Sequence, residues 1–291
     1  GGGGGRGAAR AAVGADVSDA ELLRFLVARK WDEDRALSMF LDYRDWRLEW
    51  PEGSVTSSMV RPSLDQDKAF LLPFVDDLGH SVILTIGRRH VPGEVSDAEC
   101  ELYPMFCFDR VMPYAEASGC SKVTVVVDLS SISYANVDLR QAKAILRMAQ
   151  DRFPERLGRG ILFNAPRIFF GLWKAMQPFL DDRTKDKFKF CYGAAELQQL
   201  IRSAECAEGA PNVPDIMGGM LPDSELLRIP DLPLGAPRGT SQGRQAQAPL
   251  HPGQGAGESA KGQSATPPRR QPLPAAAALM RGTSKDTPSA H

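Results

Sequence analysis

Between Asp151 and Phe190 the chain runs through an acidic turn at Glu155, a short apolar strand at Ile161 to Phe163, a strongly apolar stretch, and a charged cluster containing Arg183, Lys185, Lys187 and Lys189. In the apolar stretch Ile168, Phe169, Leu172, Trp173, Met176, Phe179 and Leu180 recur at spacings of three and four, as one face of a helix requires. Pro166 precedes it and Pro178 sits near its end. Such a stripe by itself describes an ordinary core helix. Its flanks add something else. A carboxylate and a basic cluster lie at opposite ends of one strand-helix unit, and a chain that folds back on itself brings them together. An opposed carboxylate and ammonium can hold the hydroxyls and the phosphate of a polyol phosphate. For each charge taken alone, a solvated surface position is the simpler reading.

The rest of the chain supplies a frame for that unit. Ser18 with Glu21 forms a capping box that predicts a helix from Ala20 to Arg29, and a second helix is expected from Glu33 to Glu49 with Leu37, Phe40 and Leu41 on one face. Strands are expected over Ala69 to Val75 and Ser81 to Ile86, joined by the turn Asp76-Asp77-Leu78-Gly79. Ser96 with Glu99 opens a helix from Asp97 to Glu116. The Val-rich run Lys122 to Leu129 is too apolar for a half-exposed strand, so it belongs in the middle of a sheet, with Asp128 ending it. A helix over Asn136 to Asp151, a last strand around Lys187 to Cys191 and a helix from Ala194 to Ser203 complete an alternating pattern that implies an α/β sheet flanked by helices.

Composition limits how much of the chain can be globular. From Asp231 to His291 there are 9 Pro and 8 Gly, and no aromatic residue follows Tyr192. That segment buries too little apolar surface to offset its chain entropy and is expected to be disordered. The opening run GGGGGRGAARAAVGA has neither a starting Met nor an apolar core of signal-peptide length, which reads as a fragment or partial gene model. No window of about 20 uninterrupted apolar residues occurs, so any membrane contact is expected to be peripheral and transient. Five cysteines without a CxxC pair fit buried free thiols in a reducing, cytoplasmic setting better than a disulfide framework or a zinc site. A formal charge of -1 gives no sign of a nucleic-acid partner.

Enzymatic chemistry finds little support. His80 and His90 stand in loop or strand-end settings, beside no GxSxG elbow, HExxH pair or phosphate-cradling loop. Asp76, Asp77, Asp181 and Asp182 are adjacent carboxylates in turns, where solvated turn chemistry is the default. The chain is therefore read as no enzyme, with no cofactor and no metal.

Three blocks in order carry a family resemblance: LLRFLVARKWDEDRALSMF at Leu22 to Phe40, FPERLGRGILFNAP with PFLDDRTKDK in the unit described above, and NVPDIMGG at Asn212 to Gly219. Over roughly Ser18 to Gly219 the chain resembles the CRAL-TRIO lipid-binding family, in particular its phosphatidylinositol transfer branch. The resemblance implies a small helical N-terminal subdomain (16–55), a CRAL-TRIO lipid-binding domain of a sheet flanked by helices (60–222), and the disordered tail (231–291). It also implies a mobile gate helix, here bearing Ile168, Phe169, Phe170, Leu172, Trp173, Met176 and Phe179, that closes over acyl chains.

The family's headgroup site carries over to Glu155, Thr184 and Lys187, with Arg29 and Lys30 of the ARKWD block matching a basic contact from the N-terminal subdomain. Lys187 and Arg29 suit phosphate, Thr184 a phosphate oxygen or hydroxyl, and Glu155 the inositol hydroxyls. A helix C-terminal basic pair is the plainer reading of Arg29 and Lys30. Two departures stand out. Val123 and Val125 occupy central-strand positions where members that also carry phosphatidylcholine place hydroxyls, and Phe153 replaces a customary Tyr. The implied ligand is a phospholipid, phosphatidylinositol, bound by a monomer that transfers it or presents it to lipid kinases. A carrier of tocopherol, retinoid or sterol type and a lipid-independent scaffold are the competing readings.

Overall fold

The computed structural model describes residues 17–202 and 212–235. Helix α1, Asp19–Ala28, starts where Ser18 Oγ accepts the Glu21 amide at 3.2 Å, and α2, Glu33–Glu49, starts where Asp32 Oδ1 accepts the Arg35 amide at 3.0 Å. Each cap satisfies one amide that the first helical turn leaves without a partner. Between the helices Lys30 and Trp31 both adopt left-handed backbone, with φ of 55° and 67°. That reversal lets Phe25 of α1 meet Phe40 of α2 edge to face, at 5.2 Å between ring centres. The two helices thus share a small core with Ala36 and Met39.

Around it a larger unit is built in chain order. It comprises α3 Arg61–Asp65, β1 Ala69–Val75, β2 Ser81–Ile86, α4 Asp97–Ala117, β3 Val123–Asp128, α5 Leu139–Arg147, β4 Leu157–Phe163, α6 Arg167–Met176, α7 Asp182–Asp186, β5 Phe188–Cys191, α8 Ala194–Leu200 and β6 Leu227–Arg228. The strands form one mixed sheet in the order β5-β4-β3-β2-β1-β6. Strands β2 to β5 run parallel, and β1 pairs antiparallel with both β2 and β6. The Val-rich β3 is interior, as its composition predicts.

The faces of this sheet are covered unequally. On one face Val82, Leu84, Ile86, Val126, Ile161 and Phe163 are buried together with Leu197 of α8. On the other, Leu71 and Val123 pack against Tyr103, Met105 and Phe106 of α4, while Leu162 packs with Phe169 and Trp173 of α6. Yet Ile83 and Thr85 of β2 and Val125 and Val127 of β3 are only partly buried, although these strands are interior to the sheet. Helix cover over the central strands is therefore incomplete on the α4 and α6 side, and this partly open, mainly apolar surface forms a shallow trough.

Buried polar and aromatic contacts join the helical pair to α4 and to the turn before β4. Arg47 Nη2 bonds Asp109 Oδ1 at 2.7 Å, with Asp109 almost fully buried, and the Arg47 guanidinium lies 4.3 Å from the Trp46 ring. Trp46 meets Phe153 edge on, and Phe153 stacks on Phe108 at 4.6 Å. Phe153 is thus a packing residue of this junction.

Several expectations are corrected. Asp76 is fully buried: it accepts from Thr124 Oγ1 at 2.6 Å and from the His80 amide at 2.9 Å, because β3 passes beside the β1-β2 turn. His80 and His90 are buried as well. The helix expected from Asn136 starts at Leu139, capped by Asp138, and its last part, Met148–Arg152, widens into a π turn. Strand β4 begins four residues before Ile161. Its Gly158 and Gly160 lie before the expected strand start, and a Cβ there would collide with the rings of His80 and Phe188. Helix α1 ends at Ala28 and has no basic residue in its last turn, so Arg29 and Lys30 lie beyond it. Of the segment 231–291 read as disordered, 231–235 are described and pack: Leu232 is buried and Leu234 covers Gly53. The remainder lies outside the described residues, as do Ser203 and Cys206.

Candidate functional site

The parallel pairing of β4 with β5 creates a polar corner at one end of both strands. The Gly160 amide bonds the Lys187 carbonyl at 2.9 Å, which holds Lys187 beside the turn that leads into β4. In that turn Phe153 and Pro154 are buried and Glu155 takes left-handed backbone, φ 59°. Its carboxylate lies 3.8 Å from Lys187 Nζ and 3.4 Å from Arg183 Nη1. The separated carboxylate and basic cluster of the sequence are therefore in contact. Burial makes Lys187 a weaker base than a free lysine; Glu155 works against this, and Lys122 and Arg183 add to it by repulsion.

Thr184 stands one turn before Lys187, in α7. Its Oγ1 donates to Asp181 Oδ2 at 2.7 Å, while the Thr184 amide donates to Asp181 Oδ1 at 2.9 Å. Burial works to raise the Asp181 carboxyl, but these Thr184 bonds prevail and hold it below its ordinary value. A hydroxyl has one proton to give, so Thr184 in this arrangement can accept from a ligand hydroxyl but has nothing left to donate to a phosphate. Arg29 lines a depression of about 640 Å³ together with Trp46, Asp151 and Arg152. Lys30 is exposed on the left-handed turn. Among the described residues, neither Arg29 nor Lys30 is joined to the Glu155 corner by an ion pair or hydrogen bond. Arg183 does span the junction, donating to the Val27 carbonyl of α1 at 2.9 Å.

Helix α6 and the 3-10 turn Gln177–Phe179 cover the β5 side of the trough. Phe170 stacks on Phe190 at 5.1 Å, Phe169 meets the same ring at 6.5 Å, and Trp173 lies 5.2 Å from Phe188. Met176 is buried; Ile168, Phe169, Leu172 and Trp173 are half-buried; Phe170 and Phe179 remain 45% and 48% exposed. For seven apolar side chains on one short segment this burial is shallow. Lys143 of α5 sits 4.6 Å from the Phe179 ring, and Gln150 Nε2 donates to the Phe179 carbonyl at 2.9 Å, tying the end of the segment down. Val125 is partly buried on the trough floor, whereas Val123 is fully buried beneath α4.

Side chains that sequence pattern did not single out also border Glu155. Arg24, Lys122 and Arg156 share a cavity wall with it. Arg156 could have been marked as Glu155's neighbour in the FPER block, whereas Arg24 and Lys122 arrive from α1 and from the start of β3, with no local signal. Among the described residues no group of three His, Cys, Asp or Glu side chains is placed to hold a metal, and no helix is long and apolar enough to cross a membrane.

Comparison with known proteins agrees with this architecture. Residues 65–208 match the CRAL/TRIO domain model and residues 9–42 match the model of the CRAL/TRIO N-terminal domain. A CRAL-TRIO domain-containing protein of Schizosaccharomyces pombe is 30% identical over 213 residues, 69% of this chain and 47% of the relative. Phosphatidylinositol transfer protein CSR1 of Eremothecium gossypii is 29% identical, over 64% of this chain and 45% of its own length. The mouse alpha-tocopherol transfer protein-like protein is 28% identical, over 61% and 53% respectively. The chain thus spans about half the length of the curated relatives it matches. The crystal structure of Sfh5 superposes with a TM-score of 0.53 at 18% identity, covering 65% of this chain and 72% of that one, a likeness of fold. With a capped helical pair docked on a six-stranded mixed sheet, and both parts matching their models in order, the chain belongs to the CRAL/TRIO family of lipid-binding and lipid-transfer proteins.

Proposed function

We propose that this chain carries phosphatidylinositol, with the acyl chains in the trough over β2 and β3 and the headgroup at the Glu155 corner. The observation that carries the reading is the contact of Glu155 with Lys187, at the entrances to β4 and β5 beside the trough. Val123 pairs with Leu157, two residues beyond Glu155, so the charged corner neighbours β3, whose Val125 lies on the floor. Lys187 takes the phosphate, Glu155 the ring hydroxyls and Thr184 accepts from a further hydroxyl, while Arg29 and Lys30 add positive charge from the helical pair. Each buried CH₂ of an acyl chain contributes about 0.8 kcal/mol. Chain burial therefore supplies affinity and the corner supplies selectivity. Helix α6 acts as the gate: its shallow burial and exposed Phe170 and Phe179 let it leave the trough at lower cost than a core helix. The protein works as a carrier and not as an enzyme, a cytoplasmic monomer that touches membranes transiently.

The aliphatic side chains of Val125 on the floor and of Val123, buried beside it under α4, favour a second reading. A wholly apolar ligand of tocopherol, retinoid or sterol type needs no hydrogen bond there, whereas phosphatidylcholine would leave its phosphate unpaired. Mass spectrometry of lipids extracted with the protein from cells, paired with transfer between vesicles, tests both readings. Phosphatidylinositol in the extract and its transfer in preference to phosphatidylcholine is the expected outcome. An extract holding only uncharged lipids would replace the first reading with the second, and equal transfer of both phospholipids would refute the argument from the valines.

A further inference from the structure

A second cavity, of about 710 Å³, opens between α1 and the sheet unit, and its walls include Arg24, Val27, Glu116, Lys122, Glu155 and Arg156. Its cations are poorly matched. Arg156 is more than nine-tenths buried; its two terminal nitrogens reach the Ser121 carbonyl and Glu116, but its Nε has no partner. Burial, and after it repulsion from Arg156, weakens Arg24's hold on its proton, and the nearest Glu21 oxygen is 3.9 Å away. The Lys122 ammonium has no carboxylate within ion-pair distance among the described residues, and it repels Lys187. Arg24, Lys122, Arg156, Arg183 and Lys187 outnumber the carboxylates of Glu21, Glu116, Glu155 and Asp181 that act on them, which leaves one positive charge unmatched. A desolvated guanidinium with an unbonded Nε, beside another cation, gains most from a multivalent anion.

We propose that this cavity is a second anion subsite, in which Arg24, Lys122 and Arg156 take a further phosphate borne on an inositol ring whose hydroxyls engage Glu155. The ligand class is a phosphorylated inositol, as the headgroup of a phosphoinositide or as a free inositol polyphosphate. The inference rests on the reading of Glu155 as a headgroup residue and deepens it.

The test uses the whole chain and two substitutions, Lys122→Ala and Arg24→Gln, which spare the buried Arg156. Uptake is measured from phosphatidylcholine vesicles containing phosphatidylinositol 4-phosphate or, separately, phosphatidylinositol. Binding of soluble inositol trisphosphate and of inorganic phosphate is measured by calorimetry. The expected result is that each substitution lowers affinity for the phosphorylated lipid or the soluble trisphosphate on the order of tenfold, the loss of one charge-assisted hydrogen bond, with phosphatidylinositol uptake unchanged within about twofold. Trisphosphate binding without lipid uptake assigns the subsite to the free ligand, and uptake of the phosphorylated lipid assigns it to the headgroup; either outcome supports the site. Unchanged binding in both variants, an equal drop for both lipids, or binding of inorganic phosphate as tight as the trisphosphate would overturn it. A protein that takes up phosphatidylinositol yet ignores the phosphorylated ligands refutes the subsite alone. One that binds trisphosphate through Lys122 but carries no phosphatidylinositol refutes the carrier reading alone.

Discussion

Replacing Lys187 with Ala separates headgroup recognition from structural support, because the surroundings of Lys187 predict different fates for binding and folding. The side chains of Lys187 and Glu155 are 20% and 15% exposed, so their ion pair is partly desolvated. Breaking a buried pair usually costs about 3–5 kcal/mol, since the remaining charge is left uncompensated. Here Glu155 keeps Arg183 at 3.4 Å, and the lost ammonium was itself disfavoured by burial and by Lys122. The stability change should therefore stay within about 1 kcal/mol. The loss in binding should be larger: one charge-assisted hydrogen bond to phosphate is worth roughly 1.5–3 kcal/mol, or about 10- to 150-fold in affinity for phosphatidylinositol. Glu155→Ala should weaken binding less, and the double variant should lose less than the sum, because both groups hold one headgroup. Transfer of fluorescent phosphatidylinositol between vesicles, with a thermal melt of the same sample, reads both quantities. A well-folded Lys187→Ala protein that transfers phosphatidylinositol at the wild-type rate would refute the headgroup assignment and leave only a generic apolar pocket.

Truncation after Gly235 should leave the melting temperature unchanged, because the deleted segment has no aromatic residue with which to build a core. Truncation after Pro230 should lower it by roughly 3–10 °C, since the buried Leu232 contributes about 1.5–3 kcal/mol; coincident melts of the two truncated chains would show that Leu232 contributes nothing. Lys68 is 4% exposed, bonded to Gln66 and His90, and burial brings it from 10.5 down to about 8. Between about pH 8 and 10.5 the unfolded chain then binds more protons at this group than the native one, so this group makes stability rise with pH across that window. Denaturant titrations from pH 7.5 to 10 should show a rise, of the order of 3 kcal/mol at most, relative to Lys68→Met, and parallel curves for the two proteins would refute it.

The sequence alone determined the elements whose causes are local. Ser18 and Ser96 cap helices through the backbone three residues on, so their positions are visible in four-residue patterns. Val123 to Val127 form an interior strand because a run apolar on both faces has no other stable place. The apolar stripe of α6 and the order of charges around it were legible for the same reason. What the tertiary structure decided depends on residues far apart in the chain. Asp76 reads as a solvated turn residue until Thr124, on a strand 48 positions away, donates a hydrogen bond to it in the interior. Gly158 and Gly160 stand outside the strand expected from Ile161 until the rings of His80, from the β1-β2 turn, and Phe188, from β5, occupy the space of their missing side chains. Glu155 and Lys187 were each visible as charges, but only parallel pairing of β4 and β5 sets them 3.8 Å apart. Arg24 and Lys122 carried no signal, since a cavity between α1 and the sheet exists only once Arg47 and Asp109 have docked the helical pair. Local patterns record how the backbone satisfies its own hydrogen bonds, whereas charge matching in a cavity is a property of surfaces that meet after folding.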